Sequence, residues 1–289
     1  MKFLVLGGNG YLSAKIAKRL IENGHVVVCT KREKSDLSRL NGYEDKIIFV
    51  EANDVEVEAA LKREPFDWVL NMVCNYGKNN ILYDNVIESN LMFPLSVLNL
   101  AVELGVKNFM TIGTGLPADL NMYSFAKSRF SDFGKFYVEK HGINFIDMKL
   151  EMFYGADEPE NRFLPSCIRK MLNGENIELT LGTQKRDIVS IYDVVNAIDC
   201  AIEAKLTGYH VISVGTGQAP TIREILEYAK EVSYSISELH FGAVPMRKGE
   251  PDCVADTSSL EKIGYKCTCD WKSGILNMIQ EVCKNENIN

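Results

Sequence analysis

Lys2-Phe3-Leu4-Val5-Leu6-Gly7-Gly8-Asn9-Gly10-Tyr11-Leu12-Ser13 opens the chain and decides its fold. Residues 2–6 read as a buried strand, and the glycines after them end it. From Tyr11 the apolar positions Leu12, Ile16 and Leu20 repeat with a helical period, and Gly24 supplies a natural stop. Gly7-x-x-Gly10 between a strand and a helix lets the backbone approach a pyrophosphate, which then sits at the positive end of the helix. Gly7, Gly10, Tyr11 and Leu12 are therefore candidates for holding a dinucleotide. Ser13 stands where a third glycine is expected, and it is small enough for the helix to keep its packing on the strand. A plain strand–turn–helix connection would carry the same glycines.

Working outward, further short apolar strands are expected at 26–30, 46–50, 67–73, 108–112 and 144–148. Helices are expected between them, including a long apolar-striped one at about 82–104 and another at about 122–141. Such alternation indicates a parallel sheet covered on both faces. The expected fold is α/β, a doubly wound sheet of the Rossmann type over residues 1–150, rejoined by a helix and strand within 188–214. Pro159, Pro165, Pro220, Pro245 and Pro251 punctuate a less regular second half. Residues 151–289 are expected to form mainly a smaller, interleaved substrate lobe.

Bulk properties narrow the function. A net charge of −7 argues against a nucleic-acid-binding surface, and 46% hydrophobic with 25% charged residues is ordinary for a globular protein. The apolar start ends at Gly7, too early for a signal segment or a membrane span, so a cytoplasmic protein without membrane partners is expected. Of eight cysteines, Cys29, Cys74, Cys167 and Cys200 lie in apolar segments, where thiols act as small buried hydrophobes. Cys267 and Cys269 have no nearby histidine in sequence. His25, His141, His210 and His240 are scattered, so no metal site is expected.

The second strand ends Cys29-Thr30-Lys31-Arg32. Selectivity for NAD commonly uses a carboxylate at this point to hold the adenosine ribose, and none occurs before Glu33. A hydroxyl followed by two cations suits a 2′-phosphate, so Thr30 and Arg32 are cofactor candidates and NADP(H) is favoured. If Lys31 and Arg32 are plain surface charges, NAD(H) stays open. Asp54, just past the third strand, can accept the adenine amino group or cap a helix.

Tyr123-Ser124-Phe125-Ala126-Lys127 carries the chemistry. Tyr123 and Lys127 are four apart and share one helix face. A phenol is a poor acid–base group at neutral pH, and a neighbouring ammonium is expected to draw it toward the working range. Lys127 can also donate to the nicotinamide ribose. Thr114 supplies a hydroxyl suited to a reacting carbonyl oxygen. An amphipathic surface pair would show the same Tyr–Lys spacing.

Taken together, these motifs resemble the extended short-chain dehydrogenase/reductase family, also called the NAD-dependent epimerase/dehydratase family. The resemblance runs from Gly7 through Lys185-Arg186-Asp187-Ile188-Val189-Ser190-Ile191-Tyr192-Asp193 to Trp271, and includes Asn90 on the long helix. It implies that Thr114, Tyr123 and Lys127 take the family's Ser/Thr-Tyr-Lys catalytic roles. Dehydratases of this family carry an Asp-Glu pair after the threonine, whereas this chain has Gly115-Leu116. The segment 113–130, with Tyr123 nine residues on from Thr114, looks more like the CDP-abequose and CDP-paratose synthases. Residues 148–155 and 184–187 do as well. Those enzymes reduce the C4 ketone of a nucleotide-linked deoxysugar. Arg186 and Arg247 match positions that bind the diphosphate of a nucleotide sugar, although Arg186-Asp187 also reads as an internal ion pair and Arg247 as part of a charged turn. Met152 departs from the usual Asn or His. A sugar-nucleotide 4-epimerase that retains NAD is the alternative, and a non-catalytic dinucleotide sensor is a further one. The family also implies a homodimer through the 82–104 and 122–141 helices.

Overall fold

The structure, a computed structural model, describes residues 1–77 and 82–286. β1 (Lys2–Leu6) enters α1 (Tyr11–Glu22) through the glycine turn. β2 (Val26–Lys31), β3 (Ile47–Glu51), α2 (Asp54–Arg63) and β4 (Trp68–Asn71) follow. The long apolar stretch folds as α3 (Tyr83–Ile87), a π-helical turn (Glu88–Met92) and α4 (Phe93–Glu103). β5 (Asn108–Thr114), α5 (Met122–His141) and β6 (Asn144–Leu150) complete this run. Next come β7 (Met152–Tyr154), α6 (Phe163–Leu172), β8 (Ile177–Leu179), β9 (Ile188–Ser190), α7 (Ile191–Glu203) and β10 (Tyr209–Val214). The chain ends with α8 (Ile222–Val232), β11 (Leu239–Phe241), α9 (Ser258–Lys262) and α10 (Trp271–Glu286).

The main sheet has seven strands in the order β10-β6-β5-β4-β1-β2-β3. The pairings from β3 through β2, β1 and β4 to β5 are parallel. The order turns back between β1 and β4. Beyond the carboxyl ends of these two strands the loops diverge to opposite sides, which is where a doubly wound sheet binds ligands. Of the strands that end elsewhere than read, two bear on the site. β4 stops at Asn71 because that buried side chain accepts from the Val73 N–H at 3.2 Å and donates to Thr111 Oγ1 at 3.0 Å, turning the chain. β5 runs on to Thr114, so this residue ends the strand rather than following it.

Contacts divide the chain into two compact units. The first comprises Met1–Lys149 with Ala201–Ile212, and the second Leu150–Cys200 with the chain from Ser213 onward. The returning piece is shorter than 188–214. Residues 188–190, rich in β-branched side chains, form β9 and pair in parallel with β7, so the helix starts only at Ile191. In the first unit, Phe109 of β5, Phe130 of α5 and Phe145 of β6 meet with ring centroids 5.6–5.9 Å apart, all fully buried. A Cβ on Gly134 would fall 2.3 Å from the Phe145 ring, so glycine there lets α5 lie close on β6. This packing sets the height of α5 above the sheet. The second unit has its own core, in which Ile168 of α6, Ile225 and Leu226 of α8 and Ile275 of α10 are buried.

Candidate active site

The glycine turn is built for close approach. Gly7 has φ +73°, a left-handed conformation open to glycine at little cost. A Cβ on Gly8 would lie 2.5 Å from the Cys29 Cβ, so only glycine lets the turn rest on β2. Ser13, in the third-glycine position, is buried and donates to the Gly7 carbonyl at 2.6 Å, closing the turn that a glycine would leave open. Gly10 precedes α1 with no side chain capping the helix, and the first turn, containing Tyr11 and Leu12, holds no acidic residue. The positive end of α1 is thus presented to an anion. These donors fit the pyrophosphate of a dinucleotide.

The flanking residues divide. Thr30 is fully buried, and its Oγ1 accepts from the Gly7 N–H at 2.9 Å, so it supports the turn from behind and has no face for a ribose. Lys31 pairs with Glu51 on β3 at 3.2 Å. Arg32 is exposed, with its own N–H held by Ser35 Oγ at 3.0 Å. Asp54 is exposed at the first position of α2, and the cap of that helix is Asn53, which accepts from the Glu56 N–H at 2.9 Å.

Tyr123 lies in the first turn of α5. Asn121 and Ser124 close that turn reciprocally, with bonds of 2.9 and 3.2 Å, which fixes the helix start. Tyr123 lies beside Thr114 and Cys74, and its ring centroid is 4.8 Å from that of Tyr76. Lys127 is buried one helical turn later and donates to the carbonyls of Val73 at 2.7 Å and Ile112 at 2.9 Å. The structure therefore brings Thr114, Tyr123 and Lys127 together.

Sequence reading missed Cys74 and Tyr76. Cys74, expected as a buried hydrophobe, is exposed, because Asn71 turns the chain out of the sheet just before it. Asn90 anchors this loop. From the π-helical turn, its amide donates to the Asn75 carbonyl at 2.8 Å and accepts from the Asn75 N–H at 3.1 Å. The available signal was position: the loop leaves the carboxyl end of β4, beside the reversal of strand order.

The electrostatics differ from the expectation that Lys127 acidifies the phenol. Burial pushes Tyr123 well above its ordinary value, with Cys74 and Tyr76 adding to the rise and the Thr114 hydrogen bond opposing it. The Lys127 ammonium is committed to two main-chain carbonyls, and burial lowers its own value. A phenol so placed holds its proton at neutral pH.

In the second unit, the Arg186 guanidinium donates to the carbonyls of Lys185 at 2.8 Å and Pro251 at 2.5 Å and pairs with Glu250. Arg247 is exposed in the adjoining turn, where its carbonyl accepts from the Glu250 N–H at 3.4 Å. The fold thus joins the 247–250 turn to Arg186. Asp187 is not the partner of Arg186. It is fully buried and gathers the N–H groups of Thr216, Gly217 and Ala255 at 2.8–3.2 Å. Among the described residues, no group of three His, Cys, Asp or Glu side chains is arranged to hold a metal.

The profile of the NAD dependent epimerase/dehydratase family matches residues 3–215. CDP-abequose synthase of Salmonella muenchen is 27% identical over 96% of this chain and 97% of its own length. A putative UDP-glucose 4-epimerase of Methanocaldococcus jannaschii is 23% identical over 98% and 99%. Among solved structures, the UDP-glucose 4-epimerase of Thermotoga maritima with UDP-glucose superposes with a TM-score of 0.88 at 21% identity. It covers 99% of this chain and 100% of that one.

Proposed function

The chain belongs to the NAD-dependent epimerase/dehydratase family, and from that premise we propose that it reduces the C4 ketone of a nucleotide-linked 4-keto-6-deoxyhexose or 3,6-dideoxyhexose. The observation that carries this reading is the meeting of Thr114, Tyr123 and the buried Lys127, which offers a hydroxyl, a phenol and a cation to one carbonyl oxygen. The likeness to CDP-abequose synthase and the absence of the Asp-Glu pair after Thr114 support the same choice.

Gly7, Gly10, Tyr11 and Leu12 hold the pyrophosphate of the cofactor at the head of α1. Arg32 meets a 2′-phosphate, which favours NADP(H) over NAD(H), and Asp54 takes the adenine amino group. When bound, the nicotinamide supplies the hydride that reduces the ketone. Tyr123 gives its proton to the sugar oxygen as charge develops there, and Thr114 hydrogen-bonds that oxygen. Lys127 offsets the charge left on the phenolate and donates to the cofactor ribose. Arg247 grips the substrate diphosphate, and Arg186 acts with it by holding the turn.

The likeness to UDP-glucose 4-epimerases keeps a 4-epimerase as the second reading. Purified protein is expected to carry no stoichiometric NAD. With NADPH it should reduce a member of a panel of CDP-, dTDP-, UDP- and GDP-4-keto-6-deoxysugars. NAD retained through purification, together with epimerisation and no reduction, would overturn the reductase. A preference for NADH would overturn the role of Arg32. The apolar side chains Phe125, Phe133 and Phe136, 40–50% exposed along α5, and the exposed Met92 support a homodimer through these helices. Light scattering should return twice the chain mass.

A further inference from the structure

A buried acid lies behind the catalytic lysine and takes no part in the steps above. Asp147, on β6, is 1% exposed. Its Oδ2 accepts from Ser131 Oγ at 2.5 Å, and the Ser131 hydroxyl meets the Tyr209 hydroxyl at 2.7 Å. Its Oδ1 has no hydrogen-bond partner among the described residues. That oxygen lies against Gly113 of β5, where an added Cβ would come within 2.1 Å of it. Asp147 and Gly113 both line a cavity of about 60 Å³ with Thr114, Ser124, Lys127 and Lys149. Lys127 has the complementary deficit. It is 4% exposed, and its bonds to Val73 and Ile112 are to neutral carbonyls. A buried charge needs an opposite one nearby.

We propose that Asp147 is the counter-charge of Lys127, a positioning residue that acts across this cavity to keep the lysine an ammonium while Tyr123 releases its proton. The cavity exceeds the roughly 10–15 Å³ that one ordered water needs, so water can carry the interaction between the two groups. Ser131 and Tyr209 orient the carboxylate from the far side. The other titratable groups around the pair are Cys74 on the loop after β4, Tyr123 one turn before Lys127 on α5, Lys149 on β6 and Tyr209 on β10. Burial pushes Lys127 down, and Cys74 and then Asp147 push it back up. Burial pushes Asp147 up, opposed by the Ser131 hydrogen bond, then Lys149 and Lys127. The pairing depends on the reductase reading only for its consequence in turnover.

The test is an NMR titration of the full chain labelled at the lysine ε-carbon, with the Lys127 resonance assigned through Lys127→Arg. In Asp147→Asn, which keeps the side-chain shape, Lys127 is expected to titrate lower by about one pH unit or more. The alkaline limb of kcat should move down with it, while KM for the sugar stays within about twofold. Ser131→Ala loosens the carboxylate without removing it, so its shift should be smaller and in the same direction. This variant carries the test if Asp147→Asn fails to fold. An unchanged Lys127 titration in the folded variants overturns the pairing. The titration needs no substrate, so a shift in a protein that reduces none of the sugars would sink the reductase and keep the pairing.

Discussion

Two clusters carry the proposed chemistry, and they differ in what holds them. In the first unit, Tyr123 and Lys127 rise from a helix fixed at its start by Asn121 and Ser124, and Lys127 ends on main-chain carbonyls. In the second unit, Arg186 is held partly by a side chain, Glu250, and Arg247 is exposed on a turn. Groups that must meet a reacting atom are tied to backbone, whose position the sheet dictates. Arg186 is tied to another charge as well as to carbonyls, and it holds the turn from which Arg247 is proposed to grip a diphosphate.

The comparison breaks most decisively at Tyr123. Tyr123→Phe should lower kcat about 10²–10⁴-fold in stopped-flow assays while cofactor binding persists, and wild-type turnover would remove the phenol from its role. Phe130→Ala cuts the aromatic packing under α5 and should cost about 3–5 kcal/mol in urea melts. A much smaller loss would mean that α5 is held chiefly elsewhere.

For the second unit, pH is the sharper probe. Glu151 is pushed up to about 7, first by burial and then by Asp187, against Arg186. Between the ordinary 4.5 and about 7 the unfolded chain has released this proton and the folded chain keeps it. Stability should therefore fall as pH rises through that window, by on the order of 3 kcal/mol, and level off above it. Glu151→Gln should flatten this dependence, and an unaltered profile would assign it to other groups. Arg186→Ala should cost about 1–3 kcal/mol, since it leaves the Pro251 carbonyl and Glu250 unsatisfied. Arg247→Ala should raise KM for the sugar about tenfold with stability within about 0.5 kcal/mol. A stability loss at Arg247 instead would erase the contrast between the two arginines.

What the sequence made legible follows the range of the interactions. The glycine turn and the Tyr–Lys spacing are local, so residue order alone placed them on a strand–turn–helix and on one helix face. Cys74 and Tyr76 reach the phenol only because Asn71 and Asn90 bend and anchor a loop from separate elements. Thr30 shows another limit: a hydroxyl facing a ligand and one bonded behind a turn have the same sequence signature. At Asp54 the cap reading missed by one residue, since Asn53 beside it caps equally well. Asp147 was visible as an acid inside an apolar strand, but its relation to Lys127 exists only after β6 is laid beside β5 under α5.

The π-helical turn between α3 and α4 converts a residue count into an aim. It holds one residue more per turn than an α-helix would at that point, and Asn90 within it bonds both polar groups of the Asn75 backbone. Removing a single residue from 88–92 would restore the ordinary helical repeat, leave the flanking segments nearly in phase and move residues inside the turn by one position, about 100° around the axis. Asn90 would swing away from Asn75, and Cys74 and Tyr76 would lose their fixed place beside the phenol, with every atom touching Tyr123 chemically unaltered. A deletion scan across this turn would therefore retune the active site through the length of the chain alone.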